Sequence, residues 1–203
     1  MAKVTGMASR LVRGTAIGCG VAAVAGAGFG FAVGQPVEPD DIVAARTMPA
    51  DLCARIGDVS GLLPKASSAA KPVTMVQGGS TTTTCVAGSS RSKVDAYTAA
   101  GVKVTITPYG GRDAGAGNKP FTPEQMAKKT FSRSPWRVAQ DRPYPTKTSR
   151  IATGQAGDSW TVHALVQRAD IVVRVDYTAN PIDADVAEKA ALVLADRAIW
   201  ESK

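Results

Sequence analysis

The sequence predicts an α+β protein: an antiparallel β-sheet covered by helices, behind one N-terminal transmembrane or signal helix. Three observations predict it. An uncharged stretch, residues 14–34, follows three early positive charges. Segments 101–109 and 159–178 alternate apolar and polar side chains, the pattern of half-buried strands. Segments starting at Pro123 and near Asp183 open on helix-capping residues.

The first stretch reads GTAIGCGVAAVAGAGFGFAVG. Lys3, Arg10 and Arg13 precede it, and Glu38 is the first charge after it. Positive charge stays on the cytoplasmic side, so residues 1–13 are expected inside and the bulk outside. About 20 residues is the length that spans a bilayer. Ile17, Val21, Val24, Phe29, Phe31 and Val33 each favour insertion by about 0.3 to 0.6 kcal/mol. Gly14 and Gly18, Gly26 and Gly30, and Gly30 and Gly34 have the spacing of close helix–helix contacts, a spacing that any Gly-rich stretch generates readily. A retained anchor over 14–34 is the first reading. Cleavage near Gly34, after the small-x-small site Ala32-Val33-Gly34, is the second. Acylation of Cys19 is the third, but Ala16-Ile17-Gly18-Cys19 lacks the Leu that usually opens a lipobox.

Residues 35–48, QPVEPDDIVAARTM, carry two prolines and three acids and read as a linker. Residues 49–203 have the length of one domain. At 44% hydrophobic and 20% charged, the composition suits a packed core. Without Lys3, Arg10 and Arg13 the chain has 21 basic and 17 acidic residues, spread out. No basic block tracks a phosphate backbone, which argues against nucleic acid as a partner.

Of three cysteines, Cys19 lies in the apolar stretch and leaves Cys53 and Cys85. An even pair on the oxidising side of a membrane reads as a disulfide. Closing that loop contributes about 3 to 4 kcal/mol by chain entropy. The alternative is two free thiols, but no Cys-x-x-Cys spacing supports redox chemistry. Two cysteines and one histidine fall short of a zinc site, and no cofactor motif is present.

The elements follow in order. A short helix runs over 49–56 and stops at Gly57, with Leu52 and Ile56 on one face. VTMVQ at 73–77 and STTTTCVA at 80–87 form a hairpin around Gly78-Gly79. In GVKVTITPY, 101–109, Val102, Val104, Ile106 and Pro108 share one face, and Lys103, Thr105 and Thr107 the other. GGRDAGAGN, 110–118, lacks the Gly-Lys-Ser/Thr ending of a phosphate loop and reads as a surface loop. Thr122, Pro123 and Gln125 then form a capping box, with Phe121 and Met126 as a hydrophobic staple, for a helix to about Phe131. WRVAQDRPYPTKTSR reads as irregular, with a short strand at 136–139.

SWTVHALVQRADIVVRVDYT, 159–178, folds on itself around Ala169-Asp170. Val166 then faces Val173, Ala164 faces Val175 and Val162 faces Tyr177, while His163 meets Asp176 and Leu165 meets Arg174. Asp183 caps a last helix to about Trp200, with Val186, Ala190, Val193, Leu194 and Ile199 as its apolar stripe.

His163 is the only histidine. Beside Asp176 it suggests an acid–base pair, but no Gly-x-Ser-x-Gly elbow supplies a nucleophile, and cross-strand His–Asp pairs are commonly structural. Asp40-Asp41 lies in the linker and Asp183-x-Asp185 at a helix N-terminus, where acids are electrostatically favoured. Trp136, Trp160 and Trp200 suit a ligand groove, although core filling is the commoner use.

An apolar N-terminus, an Asp-Leu-Cys helix, and a second Cys in a strand about 30 residues on resemble an actinobacterial family. Its members are exported lipoproteins and membrane proteins called "domain of unknown function 3558". IATGQAGDSW, the hairpin and the last helix are similar to that family's Gly-x-Gly-Asp stretch, hairpin and final helix. The chain departs from it in lacking a lipobox, in Ala169-Asp170 where members have Gly-Asn, and in Gln155-Ala156 ahead of Gly157-Asp158. The resemblance implies a fold like the photosystem accessory protein PsbP and a non-catalytic binding or accessory role, with no catalytic residues. The expected partners are the membrane, through 14–34, and an envelope or membrane protein. The alternatives are a carrier of a small apolar ligand or lipid, and an envelope hydrolase using His163 and Asp176.

Overall fold

The computed structural model describes residues 38–57, 73–77, 80–89, 99–115, 118–153 and 158–203. Residues 14–34, Cys19 and the Gly78-Gly79 turn lie outside them. Among the described residues no helix is long and apolar enough to cross a membrane. The described residues divide into two units. The smaller takes in 38–41, 113–115 and 118–120. There Glu38 N–H donates to the Asp41 carboxylate at 3.0 Å, over a 3₁₀ turn at Pro39–Asp41.

The larger unit is built on one antiparallel sheet of seven strands: β1 (Val73–Gln77), β2 (Ser80–Ser89), β3 (Ala99–Pro108), β4 (Arg137–Val138), β5 (Thr146–Ala152), β6 (Trp160–Arg168) and β7 (Ile171–Asn180). Their spatial order is β1-β2-β3-β7-β6-β5-β4. The chain builds one half as a meander and crosses to the opposite edge. It then meanders back, and β7 closes the sheet against β3 over ten residue pairs. Among the described residues three helices complete the unit: α1 (Leu52–Ile56), α2 (Pro123–Arg133) and α3 (Ala184–Glu201).

Period two decides the faces. Val102, Val104 and Ile106 of β3, Val162, Ala164 and Val166 of β6, and Val173, Val175 and Tyr177 of β7 are buried together. Against them α3 places Ala187, Ala190, Ala191, Leu194, Ala195, Ala198 and Ile199. Five alanines let the helix backbone approach the sheet closely, and Leu194 and Ile199 fill the space between. Leu52 and Ile56 of α1 close the same core. On the other sheet face Ala127 of α2 packs on Leu165 and Val172, and the rest is mostly polar, with Val86, Val138 and Ile151 exposed on it.

The predicted caps are present. Thr122 Oγ1 accepts from Gln125 N–H at 3.2 Å while Gln125 Oε1 accepts from Thr122 N–H at 2.9 Å. Asp183 accepts from Asp185 N–H at 2.8 Å and starts α3. The hairpin register is the one read from the sequence, including His163 opposite Asp176 and Leu165 opposite Arg174.

Three expectations are corrected. Residues 146–150, the end of the stretch read as irregular, belong to β5, whose inward Thr146 and Thr148 are buried although polar. Val186 and Val193, placed on the buried stripe of α3, are 52% and 38% exposed. The buried face is rotated toward the alanines, which allow closer approach than valine does. The stretch read as a linker, 35–48, joins the larger unit from Ile42 onward. Met48 is in the core, Val43 C=O accepts from Gly111 N–H at 2.6 Å, and Arg46 reaches Asp170 at 2.6 Å.

Cys53 and Cys85 form the expected disulfide, Cα to Cα 5.4 Å, and tie α1 to β2. Its 32-residue separation sets the entropic gain. Reducing it, or Cys85→Ala, is expected to lower unfolding free energy by about 3 kcal/mol in urea titrations with and without reductant. Ala169, at the tip of the β6–β7 hairpin, has φ +48° and is exposed. An L side chain is strained there, at a turn position that favours Gly. Ala169→Gly is expected to raise stability by about 0.5 to 1 kcal/mol, read as a shift in the urea midpoint at unchanged slope.

Candidate functional site

On the polar face, register aligns Ser149 of β5, His163 of β6, Asp176 of β7 and Lys103 of β3 in one row. His163 Nδ1 and Asp176 Oδ1 are 2.6 Å apart. In the neutral ring Nδ1–H then donates and Nε2 is left to accept. The same carboxylate oxygen accepts from Arg174 Nε at 2.8 Å. Trp136 stacks on the imidazole, ring centres 5.3 Å apart and planes 17° from parallel. The Arg174 guanidinium lies 5.1 Å from the Trp136 ring centre. The side chains of His163 and Asp176 are 16% and 23% exposed. Among the described residues no hydrogen bond joins His163 to Ser149 or to any other hydroxyl or thiol.

Lys147 holds this arrangement in place. It is buried, and its ammonium donates to the carbonyls of Phe131 at 3.0 Å, Ser132 at 3.2 Å and Ser134 at 2.5 Å. Those carbonyls lie at the C-terminal end of α2, where Phe131 C=O also accepts from Ser134 N–H at 3.3 Å and a cation is favoured by the helix dipole. Lys147 therefore fixes the exit of α2 over β5, and two residues later the chain presents Trp136.

Where β4 ends, the sheet edge opens into a groove of about 550 Å³ lined by Pro135, Trp136, Arg137, Thr148, Ser149 and Arg150. The β4–β5 register puts Pro135 opposite Arg150. Proline has no N–H to pair, so the ladder stops. The antiparallel alternation, fixed by the bonds Gln167 N–H to Pro145 C=O and Thr153 N–H to Ser159 C=O, turns the backbone N–H and C=O of Arg150 outward to this edge.

Behind the groove stands a charge network. Glu188 of α3 is buried. Arg137 Nη2 reaches its two oxygens at 3.1 and 3.3 Å, and Arg150 bonds both Glu188 and, at 2.6 Å, Asp185. Burial pushes the Glu188 carboxyl up. The Thr148 hydroxyl beside it and the guanidiniums of Arg150 and Arg137 more than offset this, and its pKa is lowered.

The structure brings His163 and Asp176 together as the sequence reading expected, and Trp136 joins them. Trp160 packs against the main core and Trp200 is exposed. Asp40 and Asp41 belong to the smaller unit. Among the described residues no group of three His, Cys, Asp or Glu side chains could hold a metal ion. Ser149, Lys147 and Glu188 escaped the sequence reading. TKTSRIA has no apolar alternation that would flag the first two, and Glu188 reads as an ordinary solvent-facing helical acid. No protein-family model, curated protein or solved structure matches the chain.

The Glu188 network sets a pH dependence. The folded value lies below the ordinary 4.5, so between the two the unfolded chain binds more protons. Stability from this group is full above the ordinary value and is lost as pH falls through the folded one. Glu188→Gln is expected to flatten the fall of the urea midpoint below about pH 5, and at pH 7 to cost about 1 to 2 kcal/mol. The cost is held down because the Arg137 side chain is 69% exposed.

Proposed function

We propose that this chain is a non-catalytic binding or accessory module outside the cytoplasm, tethered by residues 14–34 and serving an envelope protein complex. The observation that carries the reading is the state of its only histidine. His163 is held by Asp176 through one nitrogen and covered by Trp136, and no nucleophile is bonded to it among the described residues. That is a structural use of the pair. The Cys53–Cys85 bridge supports an oxidising compartment, in line with residues 14–34 directing the domain outward. A tether confines encounters to the membrane plane and raises effective concentration, which lets a weak binding face suffice. The resemblance to domain of unknown function 3558 points the same way.

One observation favours a second reading, an envelope hydrolase. Ser149 stands directly across from His163, on the side away from Asp176, so serine, histidine and aspartate occupy three neighbouring strands in order. The same experiment separates the two readings. Intact cells are crosslinked, the chain is captured, and its partners and own N-terminal peptide are identified by mass spectrometry. A parallel sample is treated with a fluorophosphonate. The binding reading expects one dominant membrane-protein partner, an N-terminal peptide that still includes Gly14–Gly34, and no label on Ser149. Labelling of Ser149 that disappears in His163→Ala would overturn it in favour of the hydrolase.

A further inference from the structure

The geometry points to the open edge of β5 as a docking site for an extended peptide segment of a partner protein, a strand that alternates acidic and apolar side chains; this deepens the binding reading and rests on it. In the β5–β6 register Thr153 N–H bonds to Ser159 C=O, so Ile151 also points its backbone groups at β6. Arg150 and Ala152 turn their N–H and C=O the other way. β4 covers that side only over Lys147 and Thr148. Among the described residues nothing pairs with the outward groups of Arg150 and Ala152, and both residues are exposed. A row of unpaired N–H and C=O groups is what an added strand pairs with, and that pairing carries its affinity.

The side chains along the edge state what the strand carries. Register places Arg137 and Arg150 on the α3 face, and Val138 and Ile151 on the opposite face with Trp136. A strand sends alternate side chains to the two faces, so one peptide meets both sets. On the α3 face Arg150 is already held by Glu188 and Asp185. Arg137 uses only Nη2 toward Glu188, its side chain is 69% exposed, and Nε and Nη1 have no partner among the described residues. That fork matches the carboxylate of a glutamate or aspartate. On the opposite face Ile151 is 49% exposed and favours an apolar neighbour. The groove of about 550 Å³ beside Pro135 gives the peptide room where the ladder stops. A second copy fits worse. In a two-fold pairing about Ile151 the copy's Thr153 falls opposite Ser149, the place that the β4 register gives Trp136. A peptide ends or turns away there.

The test is NMR amide exchange and titration on the full chain in non-ionic detergent with three synthetic peptides. One alternates glutamate and valine, one has lysine for glutamate, and one is the first with N-methylated backbone amides. The first is expected to bind and to slow amide exchange at Arg150 and Ala152, while Ile151, already bonded to β6, is slow throughout. The other two are expected to bind about ten-fold more weakly or worse. Arg137→Gln is expected to remove the preference for glutamate over lysine. Ala152→Pro takes away an outward N–H and leaves the β5–β6 ladder whole, so it is expected to keep the fold, read by far-UV dichroism and thermal melting, and to weaken the first peptide about ten-fold. Ala152→Val is expected to bind like the original. The exchange pattern and the N-methylated peptide decide the matter in the unaltered chain, independently of any variant. No binding by the glutamate–valine peptide, equal binding by its N-methylated form, or protection that appears only outside β5 would overturn the site. A concentration-dependent dimer that Ala152→Pro abolishes would overturn it in favour of a second copy. A dominant protein partner in the crosslinking experiment alongside such a result leaves the module reading standing and removes only the edge.

Discussion

Burial of one face of β3, β7 and β6 against α3 is the constraint on which the rest depends. Val104, Ile106, Val162, Val166, Val173, Val175 and Tyr177 are almost wholly excluded from water, and they come from three strands that only pair because β7 returns beside β3. Removing that apolar area from water drives the closure. α3 buries five alanines together with Leu194 and Ile199 against the sheet, small side chains that permit close packing beside two that fill volume. The disulfide fastens α1 and β2 to the edge of the same core, on the side that α3 reaches least.

Once one face is committed to the core, period two sends every alternate side chain to the other face. Lys103, Thr105, His163, Arg174, Asp176 and Ser149 therefore gather on one surface without any need for packing among themselves. α2 covers only part of it, where Leu165 and Val172 supply an apolar footing. The edge is shaped by two residues with opposite effects. Pro135 halts the ladder, and Lys147, three times bonded to the end of α2, fixes the chain that carries Pro135 and Trp136. A groove opens where pairing fails beside an anchored turn.

Much of this was legible in the residues. The β6–β7 register could be read outright, because a one-residue slip would bury Arg174 and expose Val173. The caps of α2 and α3 could be read because their hydrogen bonds join residues two or three apart. β5 could not, since Thr146 and Thr148 carry no apolar signal and are buried only because β6 and α3 cover them. Nor could the true face of α3: valine is the more hydrophobic residue, but the sheet selects for close approach. Of the site, His163 and Asp176 were visible as a pair. Ser149, Trp136 and the groove depend on β4 and β5 meeting, and that contact leaves little trace in either segment.

The sequence by itself determined the local terms: strand alternation, helix caps, the hairpin of nearest neighbours, and the apolar stretch at 14–34 with its flanking charges. Each depends on residues close in the chain, where spacing alone fixes geometry. The tertiary structure decided the order of the strands, the partner of β3, the burial of Glu188 and the place where the edge opens. Those are settled by competition among distant segments for one apolar surface, and no single segment carries the outcome.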